Sequence, residues 1–168
     1  LFRSISEEEF TRDYLNHLEE IIQYEGPETI AAVLIETVTG TNGVIVPPAG
    51  YLQGLRQICD RYGMLLICDE VMSGFGRTGK WFAVDHWGVK PDLMTMAKGI
   101  TSGYAPLGAV AMREEIAAAF NERPYPGGLT FNGHPISLAA AVANIEVMRS
   151  EGLVERAAQT GEVMAELL

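Results

Sequence analysis

Cysteine, histidine and basic residues are all scarce in this chain. Its 168 residues include two cysteines and three histidines, and 12 Lys and Arg stand against 22 Asp and Glu, a net charge of −10. Cys59 and Cys68 form no CxxC pair and both lie in apolar segments. That argues against a disulfide scaffold or a zinc site and fits a reducing, cytoplasmic setting. The deficit of basic residues argues against a nucleic-acid partner, because phosphate binding needs a basic face. No apolar run approaches the ~18 residues of a membrane span. His17, His86 and His134 are far apart and lack ligand spacing, so no metal is expected. Internal repeats and low-complexity stretches are missing as well. What is present is a globular composition, 48% apolar and 20% charged.

The chain begins at Leu1 and not at Met, with no signal-type stretch, and Glu162 to Leu168 stop inside a helical pattern without a cap. It reads as an internal piece of a longer protein. Residues 1–30 hold eight acids and only Arg3 and Arg12 as bases, whereas residues 31–145 are nearly neutral. The acid excess reads as the solvated face of a first helix. Ser6 with Glu9 forms a capping box, Phe10, Tyr14, Leu18 and Ile21 make one apolar face, and Gly26-Pro27 ends the helix. Ala31 to Glu36 is an apolar strand, expected to be buried on both faces. A helix from about Tyr51 to Tyr62 stops at Gly63. Further strands are expected at Met64 to Val71, Asp92 to Ala97 and Leu107 to Met112, and helices at about 114–121, 135–149 and 152–168. The alternation predicts an α/β fold, a mostly parallel sheet flanked by helices.

Ligands in open α/β sheets bind beyond the carboxyl ends of the strands. Glu36, Asp69 and Lys98 each follow an apolar strand, so parallel strands bring all three to one edge. Taken singly, each also reads as a solvated loop charge. Asp69 and Val71 share one strand face, and Glu70 points the other way. A carboxylate and a branched apolar side chain on one face suit the edge and the face of a flat ring. Replacing Glu70 is expected to disturb the chemistry much less than replacing Asp69. Lys98 ends the apolar run MTMA and precedes a glycine that permits a tight turn, whereas Lys80 and Lys90 lie in polar loops. A lysine desolvated there can form a Schiff base with an aldehyde. Further on, Gly127 to Pro135 leads into a helix with Pro135 at its first position. Its Gly-flanked Thr130 suits an anion such as phosphate, and the segment also reads as an ordinary helix-entry loop.

Two phosphate-loop patterns do not hold up. Gly74 to Gly79 matches G-x-G-x-x-G, but no helix opens after it. Gly74 to Lys80 matches G-x-x-x-x-G-K, but Trp81 stands where Ser or Thr must hold magnesium. His17 reads as a surface residue and His134 as local structure before Pro135.

ICDEVMSGFGRTG, PDLMTMAKGI and LTFNGHP, in that order, resemble the signature of the class III aminotransferases. The likeness runs from Ile30 to about Gly152 and is nearest to the ω-amino acid, amine and taurine:pyruvate group. It implies dependence on pyridoxal 5′-phosphate (PLP) and a fold-type-I architecture, with residues 1–168 as part of the large, PLP-binding domain. The N-terminal segment and the small C-terminal domain would then lie outside this chain. By resemblance, Lys98 would be the Schiff-base lysine, Asp69 the partner of the pyridine nitrogen, and Val71 the residue packed on the ring. Thr130 would bind the cofactor phosphate of the neighbouring subunit in a homodimer. Glu36 would lie near the substrate, where in the family it often pairs with a distant arginine. An amine donor and an α-keto acid acceptor such as pyruvate are the implied partners. Thr37, Met72, Leu129 and Phe131 depart from residues common in the family, on the substrate side. Other reactions on the same scaffold, an aminomutase or decarboxylase, stay open, as does a non-catalytic fragment.

Overall fold

The computed structural model describes residues 5–168. Arg3, counted above with the acidic N-terminal segment, lies outside them. Five helices run α1 Glu7–Glu25, α2 Tyr51–Tyr62, α3 Glu114–Ala118, α4 Pro135–Ser150 and α5 Leu153–Leu167. Four strands, β1 Ala32–Glu36, β2 Leu65–Asp69, β3 Leu93–Met96 and β4 Ala109–Met112, form one sheet in sequence order. β1, β2 and β3 are mutually parallel, and β4 returns antiparallel to β3. The mostly parallel sheet is therefore as expected.

Local chemistry sets the helix limits. The Ser6 hydroxyl accepts from the Glu9 N–H at 3.1 Å while the Glu9 carboxylate accepts from the Ser6 N–H at 3.1 Å, closing the capping box. Gly63 ends α2 in the left-handed conformation, φ +67°. Which face of α1 is buried differs from the sequence reading. Thr11, Leu15, Leu18 and Ile22 pack inward, and Ile22 is only 1% exposed. Phe10, Tyr14 and Ile21 are exposed, with the Phe10 and Tyr14 rings 4.3 Å apart on the outside. The spacing was helical, but the stripe lies one residue further round, because α2 presents its own apolar row there. The acids of α1 are exposed as expected apart from half-buried Glu19, and two of them also make contacts within the chain. Glu7 accepts from the Ala49 N–H at 2.8 Å, and Glu19 pairs with Arg61.

The core lies between the sheet and α1 and α2. Val33 and Ile35 of β1, Leu66 and Cys68 of β2 and Met94 of β3 pack there with Leu52, Leu55, Ile58 and Cys59 of α2. Burial pushes the Cys68 thiol up to about 11, so it behaves as a small apolar side chain. The opposite face of the sheet is open. Leu34 is 66% exposed, and Val110 and Met112 are also exposed. The expectation that β1 is buried on both faces is therefore corrected: helices of the described residues cover one face of it only.

Asp92 ties the far edge together. Its carboxylate is 3% exposed and accepts from the Leu66 N–H at 2.7 Å, from Arg56 at 2.7 Å and from Arg113 at 2.9 Å. Burial alone would raise its pKa, but the Leu66 N–H, the Arg56 hydrogen bond and the two guanidinium charges hold it below the usual carboxylate range. This stabilisation is present above the ordinary aspartate pKa of ~3.9 and is lost as pH falls through the lower folded value. Asp92→Ala, which takes the acceptor from the Leu66 N–H and leaves Arg56 with Asp60 alone, is expected to cost ~1–3 kcal/mol in urea unfolding. Asp92→Asn is expected to lose part of the fall in stability on acidification.

Candidate active site

Three parallel strands end side by side, and the register puts their polar residues in one row. Glu36 is opposite Asp69, and Asp69 is opposite Thr95. All three lie on the open face. Asp69 is half-buried; its Oδ1 accepts from the Val71 N–H at 2.8 Å. Among the described residues no group bonds its Oδ2, which is left for a ligand. Thr95 has a buried hydroxyl oxygen with no hydrogen-bond partner, a second polar atom on this face without a protein partner. Glu36 is exposed and its Oε2 accepts from the Gly40 N–H at 2.9 Å.

Val71, Met96, Ala97, Pro106, Leu107 and Thr130 line one cavity of about 930 Å³ beside this row. The structure thus brings Val71 and Thr130 together within one chain. Thr130 lies on the exposed loop that enters α4, and Pro135 is the first helical residue as expected. Lys98 follows directly on Ala97. It is exposed, so the desolvation expected from its apolar run is not found. The turn also differs from the expected one. Lys98 itself takes the left-handed conformation, φ +41°, and Gly99 does not. Gly99 is required for space instead: a Cβ there would stand 2.8 Å from the Phe75 Cβ. Among the described residues no hydrogen bond joins Glu36, Asp69, Lys98 and Thr130 to one another.

Glu70 does point away from Asp69, but it is not a silent neighbour. It is fully buried and accepts from the Ser73 hydroxyl at 2.6 Å and from the N–H groups of Ala83 and Val84 at 3.0 and 2.7 Å. These bonds fold residues 71–84 back on the end of β2. The glycines of the false phosphate loop serve this fold. A Cβ at Gly74 would stand 2.7 Å from the Glu70 carbonyl oxygen, and one at Gly79 would stand 3.0 Å from Ala158 of α5. The DE pair itself was visible in the sequence; the burial of its second acid was not.

The class III aminotransferase family model matches residues 3–168. This chain is a class III aminotransferase sequence. It is 44% identical over 155 residues to the taurine–pyruvate aminotransferase of Bilophila wadsworthia, covering 89% of this chain and 34% of that protein. Among solved structures it resembles an (S)-enantioselective ω-transaminase from Thermomicrobium roseum, with TM-score 0.91 and 46% identity over 96% of this chain and 36% of that one. It also resembles the taurine:2-oxoglutarate aminotransferase from Bifidobacterium kashiwanohense in complex with PLP and glutamate, with TM-score 0.94 and 44% identity, over 98% of this chain and 37% of that one. The chain spans about a third of the length of the relatives it matches. Its fold is part of the fold-type-I transaminase fold, and class III aminotransferases depend on PLP. Among the described residues no helix is long and apolar enough to cross a membrane.

The residues present fit that cofactor. The unpaired Asp69 oxygen suits a pyridinium nitrogen, the orphaned Thr95 hydroxyl suits a polar ring substituent, and Val71 borders a cavity of about 930 Å³. Glu70→Gln keeps one acceptor oxygen but sets an NH₂ against either the Val84 N–H or the Ser73 hydroxyl and Ala83 N–H. It is expected to destabilise the protein by ~1–3 kcal/mol and to speed amide exchange at Ala83 and Val84, measured by urea unfolding and exchange mass spectrometry.

Proposed function

We propose that the protein carrying this chain transfers an amino group from an ω-amino acid, amine or taurine-like donor to an α-keto acid such as pyruvate. The chain contributes part of the large, PLP-binding domain of a cytoplasmic homodimer. The reading rests above all on Glu36 and Asp69 ending two paired parallel strands, with Lys98 two residues past the end of the third, in a chain of this family.

The cofactor, when bound, supplies the electron sink for the reaction. Asp69 holds the proton on the ring nitrogen through its free Oδ2, and an adjacent carboxylate favours the protonated ring by roughly 1–3 pKa units. Val71 would pack against the ring. Lys98 would hold the cofactor through its amine, and that amine is the group that would move a proton at the donor carbon. Thr130 donates its hydroxyl to the phosphate. Glu36 stands on the donor's side of the ring.

Borohydride reduction of the PLP-loaded protein, followed by peptide mapping, is expected to label Lys98; label on Lys80 or Lys90 overturns the assignment. Asp69→Asn is expected to keep PLP but lose at least ~10²-fold in kcat, as followed by alanine formation from pyruvate. A β-amino acid or CO₂ as product instead of alanine would point to an aminomutase or a decarboxylase.

Thr130 borders its own chain's cavity here, so sharing between subunits needs its own test. Lys98→Ala and Thr130→Ala proteins, each first shown to lack activity alone, are mixed and allowed to exchange subunits. Activity is expected to return if each threonine serves its neighbour's cofactor, since one site of the hybrid is then intact. No recovery in a proven hybrid means that Thr130 serves its own chain.

A further inference from the structure

The backbone that presents Lys98 is an unfavourable one. Lys98 has φ +41° and Ser102 φ +49°, both in the left-handed region that non-glycine residues rarely adopt. Such a turn persists only if its surroundings over-determine it. Some of the support is local: the Ile100 N–H donates to the Ala97 carbonyl at 3.0 Å, and the Thr101 hydroxyl to the Ala105 carbonyl at 2.6 Å. Further support comes from one side chain more than 40 residues away. Asn144 of α4 donates through Nδ2 to the carbonyls of Gly99 at 2.9 Å and Ile100 at 3.1 Å, and its Oδ1 accepts from the Ser102 hydroxyl at 2.8 Å. One amide therefore binds three successive parts of the turn that starts at Lys98.

Asn144 is out of place by helix propensity. It sits in the middle of PISLAAAVANIEVMRS, where alanine is favoured and asparagine competes with the helix backbone. Its side chain turns instead to the Lys98 turn, with both its donor and acceptor sides used. On the other side of the turn, Gly99 lies against Phe75 with no space for a Cβ. The turn is thus clamped between the loop after β2 and helix α4.

We propose that Asn144 is a positioning residue for Lys98. It holds the left-handed turn so that the lysine amine is presented to the cofactor aldehyde in one conformation, although it touches neither. The inference rests on the reading of Lys98 as the cofactor lysine.

The test uses the complete protein that carries this chain, as wild type, Asn144→Ala, Asn144→Asp and Ser102→Ala. Asn144→Asp keeps the shape and the acceptor for Ser102 but loses both donors to the carbonyls. Ser102→Ala alters only an exposed hydroxyl and keeps the test open if an Asn144 variant does not fold. In the PLP-free proteins, amide exchange in the 97–104 peptide is expected to speed up at least ~tenfold in both Asn144 variants. Peptides covering 32–36 and 65–69 should stay unchanged. The rate of borohydride-trapped attachment of PLP at Lys98 is expected to fall by about tenfold or more in the same variants, with a smaller change in the same direction for Ser102→Ala. Wild-type exchange in 97–104, or wild-type trapping rates in both Asn144 variants and in Ser102→Ala, would overturn the proposal. A general loosening that speeds exchange equally in all three regions overturns it too, since Asn144 would then be a plain structural contact. If wild-type label lands on Lys80 or Lys90, it is the assignment of Lys98 that fails. The exchange result still decides whether Asn144 holds the turn.

Discussion

The whole candidate site depends on how β2 ends. Two successive carboxylates leave the strand on opposite sides, because side chains alternate along an extended backbone. Asp69 goes to the open face with one oxygen unbonded, and Glu70 goes into the core. A buried carboxylate is tolerated only when its acceptors are filled, and Glu70 collects a hydroxyl and two backbone N–H groups. That requirement draws residues 71–84 over the strand end and fixes Val71 and Phe75. Phase is thus the controlling constraint: a slip of one residue would bury Asp69 and expose Glu70.

The lysine is joined to this arrangement by packing. Phe75, held by the Glu70 loop, lies against Gly99. Gly76 and Gly79 of the same loop meet Val154, Met148 and Ala158, so α4 and α5 dock on it. Helix α4 then reaches back through Asn144 to the Lys98 turn. Asp69 and Val71 come from the end of β2 and Lys98 follows β3, and the loop after β2 and helix α4 both contact the turn that starts at Lys98. At the opposite end of the sheet Asp92 joins α2, β2 and the turn between β4 and α3 through two arginines and a backbone N–H.

The two faces of the sheet differ in kind. One is covered by α1 and α2 and forms the core. The other carries the polar row of Glu36, Asp69 and Thr95 next to exposed Leu34, Val110 and Met112. The cavity by Val71 opens on this second side. The polar row and the exposed apolar surface therefore share a face.

Much of this was determined by the sequence itself. Ser6 and Glu9, Gly63 and Pro135 set helix limits through bonds made within one turn, so they could be read locally. The order strand, acid, strand, lysine also follows from local pattern, as does the opposition of Asp69 and Glu70. Tertiary structure decided whatever depends on a partner distant in the chain. It chose Thr11, Leu15, Leu18 and Ile22 over Phe10, Tyr14 and Ile21, because helical spacing names a stripe but not the surface it meets. It left one face of β1 open, since an apolar run is the same string whether one or both faces are covered. It gave the left-handed conformation to Lys98 and not to Gly99, and it recruited Asn144 across more than 40 residues. Hydrogen bonds within a turn are encoded in adjacent residues; a bond between a helix side chain and a distant turn exists only once the sheet has brought them together.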